Sequence, residues 1–283
     1  MTEPGEREAA KARSLGLALL DASRIYEGFV IPSFEGDLRF PPHRRAITGL
    51  AGRQRRFLRA AYTLADTGQV LEAVGPLRSM LEFLVRQLWL AQDPGRNWAL
   101  WMAKEHDAAD LRQKKIRQHA PALHDAAVES RTPEQRKEGE AVAAGRARLM
   151  AELGDGRPGM PNLELQARDV GLSFLYDGLY RYESNAGPHP TMLAVDLLLE
   201  KHPEGLVLRG EPTTQFVAPP VYLHGAWLLY EALKKSGELT PALNVSELPS
   251  LGRDIEALVK EWATARMPPN WRELLPREVT DQI

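Results

Sequence analysis

The stretch VLEAVGPLRSMLEFLVRQLWLAQ, residues 70–92, is apolar around most of its circumference when wound as a helix. A helix of that kind must be enclosed by other helices, so the chain is expected to be mainly α, a multi-helix bundle. At about 100° per residue, Arg78, Glu82 and Arg86 fall on one stripe of it, each a helical turn from the next. Charges buried singly are costly, so these three must pair with one another, with water or with acids on neighbouring helices. Two readings stay open: a structural ion-pair ladder at a bundle seam, or the floor of a polar cleft.

Apolar residues recur at helical spacing along most of the rest, which predicts about seven or eight helices. The first is read over 6–29, ending in a connection rich in Pro, Gly and Phe; the second over 43–65, ending before DTGQ. After the third, Asp93 and Pro94 form a cap and first turn for a fourth that runs to about 119. Further helices are read over 163–186, 191–200, 221–235 and 252–264, and one minor β-hairpin within GLVLRGEPTTQFVAP, residues 205–219. The organisation expected is an N-terminal helix and connection over 1–42, a helical domain over 43–264 with an exposed insertion at 121–162, and a Pro-rich tail over 265–283.

With 283 residues, 43% of them hydrophobic, the chain can bury a sizeable core. It has no cysteine, which excludes disulfides, thiolate metal sites and a cysteine nucleophile. A net charge of −2 exerts no global pull on nucleic acid or anionic lipid. The polar start MTEPGEREAAKARS and the absence of any span-length apolar run predict a cytoplasmic protein with no membrane partner. Phosphate-loop, Gly-x-Ser-x-Gly, His-Glu-x-x-His and Glu-x-x-His patterns are missing, and His119 and His124 are poorly spaced for one helix face. No metal and no cofactor are expected.

On the fourth helix Trp98, Trp101, Met102, Glu105 and Ala109 share one face, which predicts that Glu105 points inward to meet Arg78 or Arg86. On the second helix, Arg44, Arg45, Arg55, Arg56 and Arg59 cluster opposite the apolar Ile47, Leu50, Leu58 and Leu64. That basic face is either a solvated surface or a track for RNA. The helix read over 163–186 carries YRYESN and breaks at Gly187-Pro188, with His189 just beyond. It reads either as a capped helix end or as a site.

The pairing of LRSMLEFLVRQLWL, with its Arg-x-x-x-Glu, and YRYESNAGPHP, with its Tyr-x-x-x-Ser-x-x-x-x-His, resembles a family of bacterial all-helical proteins known only as a domain of unknown function. The resemblance spans roughly 45–235 and implies that Arg78, Glu82, Tyr180, Ser184 and His189 belong to one site. A looser resemblance is to the HEPN superfamily, which includes metal-independent ribonucleases with an arginine and a histidine at a helix end. It implies that Arg181 stabilises charge at the scissile phosphate and His189 moves the proton, with Ser184 beside them. Arg181 and His189 are spaced more widely than in that superfamily, and Tyr182 stands where it has a polar residue. Two functions are therefore expected as alternatives. One is a ligand-binding or interaction module in stress or phage defence, in which Arg78, Glu82, Arg86, Glu105 and Tyr180 hold a small anionic or nucleotide-like ligand. The other is a HEPN-like ribonuclease guided onto RNA by the basic helix. A homodimer is a further expectation.

Overall fold

A computed structural model describes residues 4–29, 41–154, 159–180, 199–202, 205–208 and 218–266. They are mainly helical. In chain order the helices are α1 (Pro4–Ala22), α2 (Ile25–Gly28), α3 (Pro42–Asp66), α4 (Val70–Gln92), α5 (Pro94–His119), α6 (Pro121–Glu129) and α7 (Pro133–Leu153). After these come α8 (Leu163–Asp169), α9 (Ser173–Leu175), α10 (Ala218–Leu239) and α11 (Leu248–Arg266). The chain divides into two compact units, one drawn from 1–89 and 163–283 and the other from 90–162.

The first unit holds the main core. Within it α10 packs on α1, α3 and α11. Leu58 of α3, Leu77, Leu81 and Leu84 of α4, and Leu229 and Leu233 of α10 are all but inaccessible to water, each worth about 1.5–3 kcal/mol of burial. A chain of buried amides crosses this core: Gln54 donates to the Gln87 carbonyl oxygen at 3.3 Å, and Gln87 donates to the Ala232 backbone carbonyl at 2.8 Å. Helices approach closely where side chains are absent. A Cβ at Gly225 would lie 2.5 Å from Leu58 Cδ1, and one at Gly16 would overlap the Tyr62 ring, whose hydroxyl is pinned to the Tyr222 carbonyl at 2.7 Å.

The helix boundaries have local causes. α3 ends in a Schellman motif: Gly68 adopts φ 82°, its N–H bonds the Ala65 carbonyl, and the Gln69 N–H bonds that of Leu64 at 2.8 Å. Two helices read as continuous are broken. The first stops at Ala22 because the Leu20 carbonyl, which would accept from the Arg24 N–H, instead accepts from Arg55 at 2.8 Å, and Arg24 turns to Asp21 at 3.0 Å. The helix read over 163–186 stops at Asp169, where Gly171 adopts φ 75°. These breaks raise the number of helices above the seven or eight expected.

The hairpin read within 205–219 is also corrected. The run Gly205–Leu208 pairs backwards, antiparallel with Leu199–His202, part of which had been read as helix. Residues 209–217 lie outside the described residues, as do 267–283 of the tail.

The second unit contains α5, α6 and α7, with α5 packed on the other two. Asp93 caps α5 by accepting from the Arg96 N–H at 3.3 Å, with Pro94 in the first turn. α7 opens on a capping box between Thr132 and Gln135. The insertion read at 121–162 falls inside this unit, which begins at Leu90.

Two measurements check this packing. Gly16→Ala places a methyl on the Tyr62 ring, and although alanine favours a helix by about 1 kcal/mol, the overlap is expected to lower unfolding free energy by about 1–3 kcal/mol in urea. Burial among α10 and its neighbours pushes the His224 ring down from its ordinary 6.5 to about 4. The unfolded chain thus takes up that proton first, and stability falls as pH drops from 6.5 to 4. Urea midpoints measured across this window should fall by the equivalent of about 2 kcal/mol, and His224→Gln should remove most of that pH dependence.

Candidate functional site

The segment after α8 builds the candidate site. Past α9 the chain widens into a π-helical turn over Tyr176–Tyr180, a form that recurs at functional positions. There the rings of Tyr176 and Tyr180 stack at 4.7 Å and 15°. Opposite them, α4 presents Arg78 and Glu82 one turn apart. Arg78 Nη2 donates to the Tyr180 hydroxyl oxygen at 2.9 Å, and that hydroxyl donates to Glu82 Oε1 at 3.0 Å. Arg78 Nε lies 3.4 Å from the same Glu82 oxygen, and the guanidinium sits 4.8 Å from the Tyr180 ring centre. Each side of this triangle orients the other two. Desolvation raises the Tyr180 phenol above its usual range, and the Arg78 hydrogen bond opposes that. The phenol therefore stays protonated near neutrality, a fixed donor rather than a nucleophile.

The charged stripe of α4 is not threaded through the core. Arg78 and Glu82 side chains are 22% and 36% exposed, while Gln87 on another face is fully buried. Water reaches them, which removes most of the cost of charge burial. Arg86 lies farther along, with its guanidinium 5.9 Å from the Trp89 ring centre. Glu105 is exposed rather than pointing inward, and belongs to the second unit, where it accepts from the Trp101 indole at 3.2 Å. Arg181, Ser184 and His189 lie outside the described residues.

The arginines of α3 do not form one surface. Arg55 is 5% exposed and serves the end of α1: it donates to the Leu20 carbonyl and the Ser23 hydroxyl, both at 2.8 Å, and pairs with Glu27 at 3.1 Å. α1 has no basic residue in its last turn, so Arg55 supplies from α3 the cation that a helix C-terminus favours. Composition of one helix could not reveal this, because the partner groups are backbone carbonyls of another. Arg44 and Arg45 are half-buried and engaged in interactions of their own, whereas Arg56 and Arg59 are exposed. Arg59 shares Glu27 at 3.2 Å, and the two arginines hold that carboxyl below its usual range. Arg53 falls beside Phe57 on the helical period, outside the basic cluster of the sequence, and is exposed. Tyr26, Glu27, Gly49, Gly52, Arg53, Arg55, Arg56 and Arg59 line a cleft of about 510 Å³.

Among the described residues no cluster of His, Asp or Glu could hold a metal ion, and no helix is long and apolar enough to cross a membrane. Residues 44–206, more than half of the chain, match the family described as "Family of unknown function (DUF5677)". The match takes in α4, Tyr180 and nearly all of α3. No curated protein and no solved structure matches.

Substitution separates the two kinds of arginine on α3. Arg55→Ala leaves the Leu20 carbonyl and the Ser23 hydroxyl without their buried donor and should cost about 2–4 kcal/mol of unfolding free energy. Arg56→Ala, at an exposed position, should change it by no more than about 0.5 kcal/mol. Equal effects in chemical denaturation would contradict the assignment of Arg55 to the end of α1.

Proposed function

We propose, for a chain that belongs to the family of unknown function DUF5677, a binding role in which the Arg78–Glu82–Tyr180 cluster recognises a small anionic, nucleotide-like ligand. The observation that supports this is the meeting of two motif segments about a hundred residues apart, at 2.9 Å between Arg78 and Tyr180 and 3.0 Å between Tyr180 and Glu82. A guanidinium anchored by a tyrosine hydroxyl and a carboxylate is a pre-oriented fork for phosphate or carboxylate oxygens. Such orientation lowers the ordering cost of binding. Glu82 adds discrimination, since it accepts from hydroxyl or amine groups and repels a second anion. Arg181, Ser184 and His189 follow within nine residues of Tyr180 in sequence and are assigned to the same ligand as further donors. The reading takes the protein to act in the cytoplasm, in keeping with a chain that has no cysteine.

The test is calorimetric titration of the full chain with a panel of nucleoside monophosphates, repeated on Arg78→Lys and Tyr180→Phe. Both variants should bind at least about tenfold more weakly while their melting temperatures move by only about 3 °C, because the groups lie at a half-exposed site. Unchanged affinity in both variants would refute this site. Metal-independent RNA cleavage by the wild type that disappears in His189→Ala would replace the binding role with the ribonuclease.

A further inference from the structure

We infer that α3 carries a second anion site, separate from the Arg78 cluster, whose cleft takes the phosphate chain of a nucleoside polyphosphate. Its volume of about 510 Å³ lies within the range of small-ligand sites. Among the described residues that line it, Arg53, Arg55, Arg56 and Arg59 face a single acid, Glu27. That acid is engaged by Arg55 and Arg59, at 3.1 and 3.2 Å. Arg53 and Arg56 have no acidic partner among the described residues, and the Arg53 guanidinium rests 5.3 Å from the Phe57 ring centre. Exposed cations on one concave wall, with the neighbouring arginine already oriented by an acid, suit a ligand that carries several negative charges on adjacent groups.

Two glycines strengthen the assignment. Gly49 and Gly52 lie one turn apart inside the 25-residue α3, where glycine weakens a helix. A Cβ at either would meet nothing within 4 Å among the described residues, so close packing against those does not account for them. They leave the wall of the cleft bare in the turn before Arg53, which gives bulky phosphate oxygens room to reach the guanidinium groups.

The geometry favours a compact ligand over an RNA strand. Of the five arginines that suggested a track, Arg55 is buried and Arg44 and Arg45 are half-buried, so the exposed cations shrink to Arg53, Arg56 and Arg59. Those span only about 9 Å of helix axis, enough for a short phosphate chain but not for the many backbone contacts that hold nucleic acid.

Calorimetry on the full chain with inorganic tripolyphosphate, ATP, orthophosphate and a twelve-nucleotide single-stranded RNA tests the proposal. Tripolyphosphate and ATP should bind, orthophosphate at least about tenfold more weakly, and added salt should weaken all of them. The double variant Arg53→Ser, Arg56→Ser should lose at least about tenfold in tripolyphosphate affinity, and Gly52→Leu, which fills the cleft, should lose as much without lowering the melting temperature. The α3 variants are read on tripolyphosphate, whereas Arg78→Lys and Tyr180→Phe are read on nucleoside monophosphates, so a failure here and a failure at the Arg78 cluster are told apart. Absence of tripolyphosphate binding, equal affinity in the double variant, or tight binding confined to the RNA would each overturn the assignment.

Discussion

The carboxylate of Asp66 ties the main unit together. It stands at the last residue of α3, where the helix dipole disfavours an acid, and it is compensated from two other helices. Arg13 of α1 grips both of its oxygens at 2.7 Å, and the Tyr222 hydroxyl of α10 donates at 2.6 Å. These bonds hold the Asp66 carboxyl below its ordinary range, the Arg13 bond being the largest cause. Tyr62, one turn earlier on α3, donates to the Tyr222 backbone carbonyl at 2.7 Å and meets the Tyr222 ring edge-on at 4.9 Å. Apolar burial holds α1, α3 and α10 together without preferring one sliding register to another. The directional bonds at Asp66 select the register, and the close approaches at Gly16 and Gly225 are open only in it.

That register decides what the arginines of α3 become. With the C-terminal end of α3 fixed against α1 and α10, Arg55 arrives at the end of α1 and breaks the helix there. Glu27, on the short α2 that follows the break, is thereby brought to Arg55 and Arg59. The cleft beside Gly49 and Gly52 is a consequence of the same step. An arginine used to finish a helix and arginines left to face solvent are one residue type in one sequence pattern, separated only by what the neighbouring helix offers.

Much of the helical architecture is legible in the chain itself. Val70–Gln92 is bounded by a glycine in the left-handed region before it and an Asp-Pro cap after it, both local signals. Arg78 and Glu82 share a stripe because four residues make nearly one turn, and that spacing is visible without a structure. The breaks at Ala22 and Asp169 were missed for different reasons. At Ala22 the cause is a side chain more than thirty residues away. At Asp169 it is Gly171, a local signal outweighed by the helical period on either side. The inward placement of Glu105 failed because Trp101 satisfies it on its own helix, four residues back. The contact of Arg78 with Tyr180 was implied by resemblance and could not have been computed from spacing.

What the sequence determined by itself was the class and the punctuation: a mainly helical chain, the ends of its long helices, and the residue types available for polar contact. Those follow from periodicity, propensity and capping, which act over a few residues. What only the tertiary structure decided was the fate of each charge: Arg55 buried at a helix end, Arg56 exposed on a cleft, Arg78 locked to a tyrosine. The cost of a charge depends on the dielectric and the partners around it, and those are supplied by helices distant in sequence.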